Sequence, residues 1–421
     1  MKVAKVAFLA FVAALMAVGV STTTHAFHSG GVAECEGCHS MHSPKTGGTF
    51  LLVGADQSST CLTCHDGPTL SGYHVTTSDS ALGPGLAPVN RTPGGDFSWL
   101  KKTYSGGSGS TAFSEPGRMH GHNIVAVDYG FVADDNNTTA PGGTFPATQL
   151  SCVSCHDPHG QYRRLASGTI AKTGAPIKGS GSYDNVTVNE PTATEAVGVY
   201  RILAGAGYTK GPATFTGVPA AKAPGTYNRT EAVSQTRVAY GRSATGGHQS
   251  WGDWCATCHP SMHSGSGAYT HPVDQGLGST VAGLYNSYVK SGDMSGTVAN
   301  SFSSLVPFVT NSSDYTVLAN LAKNGTQVGG PTSTDQVSCV SCHRAHASGN
   351  IHALRFDQGY EFMTVGGLYL GSDNPNMTSS RAPQQHRGRT MAEWKATYYD
   401  RPETQFASYQ RVLCNKCHAK D

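Results

Sequence analysis

The sequence predicts a mostly irregular chain, with a few short helices and minimal strand, organised around repeated local sites instead of a hydrophobic core of its own. Three observations predict it. Glycine supplies 52 of 421 residues, well above its usual share of about 7%, and Ser, Thr and Asn are also abundant. After the first twenty residues there are few long apolar runs with helix or strand period. And one five-residue pattern, Cys-x-x-Cys-His, recurs six times and consumes all 12 cysteines.

The pattern occurs at Cys35/Cys38/His39, Cys61/Cys64/His65, Cys152/Cys155/His156, Cys255/Cys258/His259, Cys339/Cys342/His343 and Cys414/Cys417/His418. It is the attachment signature of a c-type haem. Two thiols three positions apart reach the two vinyl groups of one porphyrin, and the adjacent histidine becomes the proximal iron ligand. A zinc site would pair Cys-x-x-Cys units or end in spaced histidines. A disulfide scaffold would not repeat one local spacing with a histidine attached. No thiol remains for a nucleophile. Six covalently attached haems also solve the core problem. So polar a chain buries too little apolar side-chain surface to offset its ordering entropy, whereas six stacked macrocycles form a row that the chain can wrap.

From the start of the chain, Lys2 and Lys5 precede the apolar run 6–20, and a small, polar stretch ends at Ala26. This reads as a secretion signal over 1–26, cleaved before Phe27. It fits haem attachment outside the cytoplasm. No later segment approaches the length of a membrane span, so no transmembrane segment is expected. Residues 27–421 read as one elongated domain. Only residues 40–60 separate the first two motifs, while the later gaps (66–151, 157–254, 260–338, 344–413) are long. Turn signals at Pro93-Gly94-Gly95, Pro141-Gly142-Gly143, Gly246-Gly247 and Gly329-Gly330-Pro331 punctuate them. Short helices are expected from Ser313 to near Gly325, around Val281 to Tyr288 with an end near Gly292, over Met391–Tyr399, and over Thr404–Cys417. Trp394, Tyr398, Phe406 and Tyr409 read as packing for the last haem. Ser151-Cys-Val-Ser-Cys-His156 and Ser338-Cys-Val-Ser-Cys-His343 repeat each other, as tandem duplication of haem-binding units would produce. Asn228-Arg229-Thr230 matches a glycosylation acceptor and reads as a chance match.

The charges, 29 basic against 27 acidic, balance once Lys2 and Lys5 are removed. Each haem brings two propionates, so the loaded protein is anionic. No basic surplus remains for nucleic acid, and the arginines read as propionate partners. Iron needs further ligands. Outside the motifs and the signal stand His28, His42, His74, His120, His122, His159, His248, His263, His271, His346, His352 and His386. Imidazole is the expected distal ligand, because methionine is scarce and would raise the potential. His42, His159 and His346 fall three residues after a proximal histidine, and His263 four after. A histidine so close to one haem points away from it and reaches the next iron.

Phe27-His28 through Cys35-Glu-Gly-Cys38-His39-Ser-Met-His42, Pro93-Gly-Gly-Asp-Phe97, Gly121-His122-Asn-Ile-Val125, Cys155-His-Asp-Pro-His-Gly160, Tyr227-Asn-Arg-Thr-Glu231, Cys342-His-Arg-Ala-His-Ala-Ser-Gly349 and Leu413-Cys-Asn-Lys-Cys-His-Ala-Lys-Asp421 carry a resemblance. Together they resemble the OmcS-type hexahaem outer-surface cytochromes, which polymerise into extracellular filaments. The resemblance spans nearly all of 27–421. It implies little secondary structure, six bis-histidine haems in alternating parallel and T-shaped pairs, and subunits joined head to tail as an open filament. It implies that His42 binds the fifth haem of the adjacent subunit. With His42, the histidines His28, His74, His122, His159, His263, His271 and His346 match the family pattern, giving eight candidates for six distal places. His120, His248, His352 and His386 have no counterpart in it, and the Gly/Ser-rich stretch before Cys255 departs from it.

The expected function is extracellular electron transfer by a polymeric cytochrome, from the cell surface to metal oxides, electrodes, other cytochromes or other cells. A monomeric shuttle is the alternative. A multihaem oxyanion reductase is disfavoured, since such enzymes need one five-coordinate haem, often marked by Lys in place of the motif histidine, and all six motifs end in His. Six-coordinate irons leave no place for substrate, so no catalytic residue is expected. If the haems are the core, the apoprotein made without haem attachment will show no cooperative melting transition by circular dichroism, and the loaded protein will.

Overall fold

The computed structural model describes residues 35–45, 50–67, 74–173, 190–224, 231, 237–243, 250–263, 271–301, 305–322 and 329–418. The expected signal, His28, the Asn228 acceptor, Gly246-Gly247 and His248 lie outside these residues. The architecture is mostly coil with short helices and minimal strand, as the sequence predicts. No helix among the described residues is long and apolar enough to cross a membrane.

The helices are short; those that begin at 57, 278, 315 and 339 stop where the next residue turns to extended backbone. They are α1 (Cys35–Cys38), α2 (Gln57–His65), α3 (Trp251–Ala256), α4 (Pro260–His263), α5 (Gly278–Ser287), α6 (Tyr315–Leu321), α7 (Cys339–Cys342), α8 (Ala382–His386), α9 (Met391–Thr397) and α10 (Asn415–His418). Several carry the motif cysteines, and their caps sit in the motif itself. Asp56 accepts from Ser59 N at 2.7 Å to start α2. Ser154 Oγ accepts from Ser151 N and Ser341 Oγ from Ser338 N, each at 3.0 Å. The repeated Ser-Cys-Val-Ser-Cys-His is thus half of a capping box, which fixes one helical turn and presents both thiols. Strands are two or three residues long. The largest sheet among the described residues has three of them, with β1 (Arg163–Arg164) between β2 (Ile170–Ala171) and β3 (Val197–Gly198).

The largest apolar cluster brings α5, α9, α10 and residues 305–308 together around Tyr285, Phe308, Tyr369, Trp394, Tyr398 and Leu413, with Phe406 against them. Each such aromatic contributes about 1.5–3 kcal/mol by burial. Lys416 of α10 donates to Tyr288 O at 2.6 Å and lies 4.4 Å over the Tyr285 ring. Burial pulls its ammonium down to about 8. These contacts seat the sixth motif on α5.

Four expectations change in detail. Asp314, not Ser313, caps α6 by accepting from Val317 N at 3.0 Å, since its carboxylate is the better acceptor for that N–H; α6 stops at Leu321, short of Gly325. The 281–288 helix starts earlier, at Gly278, and ends at Ser287, because Tyr288 is extended. The expected helix over 404–417 is not formed. Its residues 410–412 run extended beside 361–363, with Met363 N donating to Gln410 O and Val412 N to Glu361 O at 2.8 and 2.9 Å, and only Asn415–His418 is helical. Cross-chain pairing overrides the local pattern there. Tyr409, expected to pack on a haem, is 57% exposed.

One close crossing organises the centre. Pro93-Gly94-Gly95, Gly121-His122 and His346-Ala347 meet through bridges from Ala347 to both Gly95 and Gly121. His346 N donates to Gly94 O at 2.7 Å and His122 N to His346 O at 2.9 Å. Gly95 has φ +93°, and a Cβ there would lie 1.8 Å from Ala347 O, so neither its conformation nor its space admits a side chain. Gly95→Ala is expected to cost about 2 kcal/mol or more, read as a lowered thermal midpoint of the loaded protein. Gly283→Ala, with open space around it, should leave the midpoint unchanged or slightly raised.

Candidate haem centres

Motifs one, three and five share a clasp that holds the proximal imidazole. In each, the histidine pairs with a leucine in an antiparallel bridge: His39 with Leu52, His156 with Leu203, His343 with Leu354. In each, Nδ1 lies 2.7 Å from the carbonyl two residues before that leucine, on Phe50, Arg201 and His352. Backbone bonds close both sides of the clasp: Val53 N to Cys38 O, Ala204 N to Cys155 O and Arg355 N to Cys342 O, at 3.1, 2.9 and 2.8 Å. Left-handed residues make the approach possible: Leu51, Arg201, Ile202, His352 and Ala353 have φ of 48°, 51°, 47°, 59° and 54°. Such strain is kept where the surroundings over-determine it. A carbonyl acceptor at Nδ1 fixes the tautomer with the proton there and leaves the Nε2 lone pair for iron. The fourth motif does the same with a turn: His259 Nδ1 lies 2.8 Å from Pro141 O, so Pro141-Gly142-Gly143 supports the motif imidazole.

Three expected distal histidines face proximal ones. The ring of His122 lies 6.0 Å from that of His259, His346 lies 6.4 Å from His156, and His271 lies 6.0 Å from His418. Imidazole nitrogens bind metals at about 2 Å, so two rings on opposite sides of one iron have centroids roughly 6 Å apart. The three pairs have that spacing. His122 Nδ1 lies 2.7 Å from Ala345 O, and His346 stacks on Phe97 at 4.5 Å. Burial, together with the neighbouring imidazoles, lowers both histidines well below their ordinary range, which keeps them neutral and able to ligate.

The other candidates are not brought to an iron position in this way. His42 and His159 are exposed. His74 is buried with Nδ1 2.7 Å from Asp66 O. His263 faces two carboxylates, Asp274 Oδ2 at 3.1 Å and Asp253 Oδ1 at 3.5 Å. His39 and His343 make no ring contact with another imidazole among the described residues. Of the histidines outside the family pattern, His120 is buried with Nδ1 3.0 Å from Ser348 O, His352 lends its carbonyl to a clasp, and His386 Nδ1 accepts from Gly388 N at 3.0 Å. Sequence reading missed the clasps. Their one side-chain signal is a leucine at a variable distance.

The surroundings fit six haems in sequence order. All 12 cysteines are free thiols. The Cys61 and Cys152 thiols lie side by side, as do those of Cys255 and Cys339, and in each pair the second thiol raises the first. Burial and then the neighbouring motif raise the thiols of Cys38 (beside Cys64), Cys155 (beside Cys258) and Cys342 (beside Cys414). Each motif therefore abuts the next. Buried cations stand near the fifth motif. Arg344 and Arg355, each with 1% exposed side chains, both contact the carboxylate of Glu231, at 2.8 and 3.3 Å. Arg344 packs 3.4 Å from the Tyr399 ring, and its Nε is buried without a hydrogen-bond partner. Arg164 is buried with all three guanidinium nitrogens unpartnered. Such groups are costly without an anion.

Free thiol pairs, carbonyl-fixed imidazoles and opposed ring pairs on a coil-rich chain define a hexahaem c-type cytochrome. No family model matches the chain. It is 51% identical over 431 aligned positions to the C-type cytochrome OmcS of Geobacter sulfurreducens, covering 94% of each. Two solved structures have the same fold: a cryo-EM structure of the OmcS nanowires (50% identity) and an Outer Membrane Cytochrome S filament (49%), both from Geobacter sulfurreducens, each with a TM-score of 0.82, 94% of this chain and 100% of the other. The chain belongs to the OmcS family of cytochromes.

Because the Glu231 carboxylate bridges two buried guanidinium groups, Glu231→Gln is expected to destabilise the loaded protein by about 3 kcal/mol. Thermal melting followed in the haem absorption band measures it.

Proposed function

We propose that this chain conducts electrons outside the cell as a homopolymer, each motif pair of cysteines (Cys35/Cys38, Cys61/Cys64, Cys152/Cys155, Cys255/Cys258, Cys339/Cys342, Cys414/Cys417) holding one haem and each motif histidine its iron. The observation that carries the reading is the abutment of each motif on the next, in sequence order, from the first to the sixth. The bound haems supply reversible one-electron chemistry; the chain's residues hold, orient and insulate them.

The distal ligands follow from a two-motif repeat. His346, just after motif five, faces His156 of motif three. By the same step back, His159, just after motif three, serves His39 of motif one. His42, just after motif one, has no motif two steps back in its own chain, and so serves His343 of an adjacent copy. The even motifs take a histidine from upstream of their odd partner: His122 serves His259 and His271 serves His418, the pairs whose rings oppose each other. His28 serves His65 by that rule. His74 and His263 are left over. Exposed His42, with Met41 78% and Phe50 59% exposed beside it, supports a contact that a second copy covers. A heterologous contact of this kind propagates as an open filament. With both axial positions taken, no iron turns over a substrate, and the chain serves as conductor, not enzyme.

His42→Ala is expected to give secreted, hexahaem protein that forms no filaments by electron microscopy. A single high-spin haem should appear in its spectrum. Normal filaments from this variant would overturn the bridge. His122→Ala should instead give a high-spin fourth haem with assembly retained.

A further inference from the structure

We infer that Asp253, His263 and Asp274 form a binding site for a divalent transition cation, separate from the haem irons. The inference rests on the ligand assignment above, in which His263 is not axial.

The three residues come from different segments. Asp253 lies in α3, two residues before Cys255; His263 ends α4; Asp274 follows His271. Their ligand atoms, one from each, lie within 4.8 Å of one another. His263 Nε2 is 3.1 Å from Asp274 Oδ2 and 3.5 Å from Asp253 Oδ1. A tetrahedral ion with bonds of about 2.1 Å has ligand–ligand edges of about 3.4 Å. The two edges bracket that value.

Proton counting points the same way. Ser250 Oγ lies 2.8 Å from Asp253 Oδ2 and 2.6 Å from Asp274 Oδ2, and accepts from Asp253 N at 3.0 Å. A hydroxyl has one proton and can donate to one of those carboxylates. The second short oxygen–oxygen contact brings two acceptors together beside His263 Nε2, an arrangement that a bound cation suits. Asp274 Oδ1 is also buried without a hydrogen-bond partner. An ion bound by both carboxylates and the imidazole relieves the repulsion, and Ser250 then orients its ligands.

The site is built by close approach. A Cβ on Gly252 would lie 2.1 Å from Asp274 Oδ2 and 2.9 Å from His263 Cδ2, so glycine is what lets α3 admit these groups. Asp274 itself has φ 64° and is anchored by its N–H to Val337 O at 2.9 Å. The side chains keep 28%, 17% and 12% of their surface for His263, Asp253 and Asp274, enough for an ion to enter and for water to complete its shell. One nitrogen with two carboxylates suits Mn²⁺ or Zn²⁺; Ca²⁺ asks for six to eight oxygens. The bound ion would tie α3 and α4, which follow and flank the fourth haem motif, to the segment carrying His271.

Mn²⁺ titration of chelator-stripped, haem-loaded protein, followed by calorimetry and by the Mn²⁺ paramagnetic resonance signal, tests this. The expected result is one saturable equivalent with a raised thermal midpoint, abolished in His263→Ala and in the near-isosteric Asp274→Asn. Ser250→Ala should weaken binding by about 10–100-fold. All these variants should keep the all-low-spin haem spectrum. Absence of saturable binding, or binding that survives both ligand substitutions, overturns the site. A high-spin haem in His263→Ala would assign His263 to an iron and overturn the ligand assignment as well.

Discussion

The structure depends on holding pairs of imidazoles about 6 Å apart, the spacing at which two rings could share one iron. A side chain with two free torsions does not hold such a position by itself. Here five rings are fixed by Nδ1, which lies against a backbone carbonyl: Phe50, Arg201 and His352 for the clasped motif rings, Pro141 for His259, Ala345 for His122. The backbone pays for this in left-handed residues at Leu51, Arg201, Ile202, His352 and Ala353. It also accounts for the scarcity of regular structure. A carbonyl spent on an imidazole is withheld from a helix or sheet ladder, and a chain that must reach both faces of six irons cannot stay in either for long.

This explains which parts were legible in the sequence. Cys-x-x-Cys-His is a local chemical requirement, so all six motifs could be read directly, and with them the coil-rich fold. The capping serines at 151 and 338 lie inside the motif and were visible as a repeat. The clasps were not. Their leucines stand 13, 47 and 11 positions after their histidines (39 to 52, 156 to 203, 343 to 354), so no fixed spacing marks them. Their strained residues are leucine, arginine, isoleucine, histidine and alanine instead of glycine, so no conformational signal marks them either. The pairing of His346 with His156 spans 190 positions (156 to 346), and the one crossing of three short segments at Gly95, Gly121 and Ala347 sets it. The failure over 404–417 has a similar origin. Its local pattern permits a helix, but hydrogen bonds to residues 361–363 decide its conformation.

Electrostatics links the clasps to the haem row. Arg344 follows His343 of the fifth motif directly, and Arg355 follows the clasp leucine Leu354. The same backbone that fixes the iron ligand therefore carries two guanidinium groups into the interior. Both contact one carboxylate, Glu231, at low exposure. Two such cations repel each other, and burial together with Arg344 lowers Arg355 below its usual range. An apolar interior would eject them. An interior that receives anionic propionates is stabilised by them. The buried pair is thus interpretable only with the haems counted, as is the near balance of charge over the whole chain.

The two-motif repeat carries this logic to assembly. Within the chain, the histidine after motif five reaches back to motif three, crossing Pro93-Gly94-Gly95 on the way. A repeat that always reaches two motifs back is satisfied inside the chain except at its first unit, where the reach must leave it. The fifth motif's clasp is complete, yet His343 makes no ring contact with another imidazole among the described residues and remains exposed. His42 is exposed at the opposite end of the motif series. Under the proposed ligation, head-to-tail association would need no interface device of its own: it would be the internal packing rule continued across a chain boundary, with filament growth and iron ligation one event.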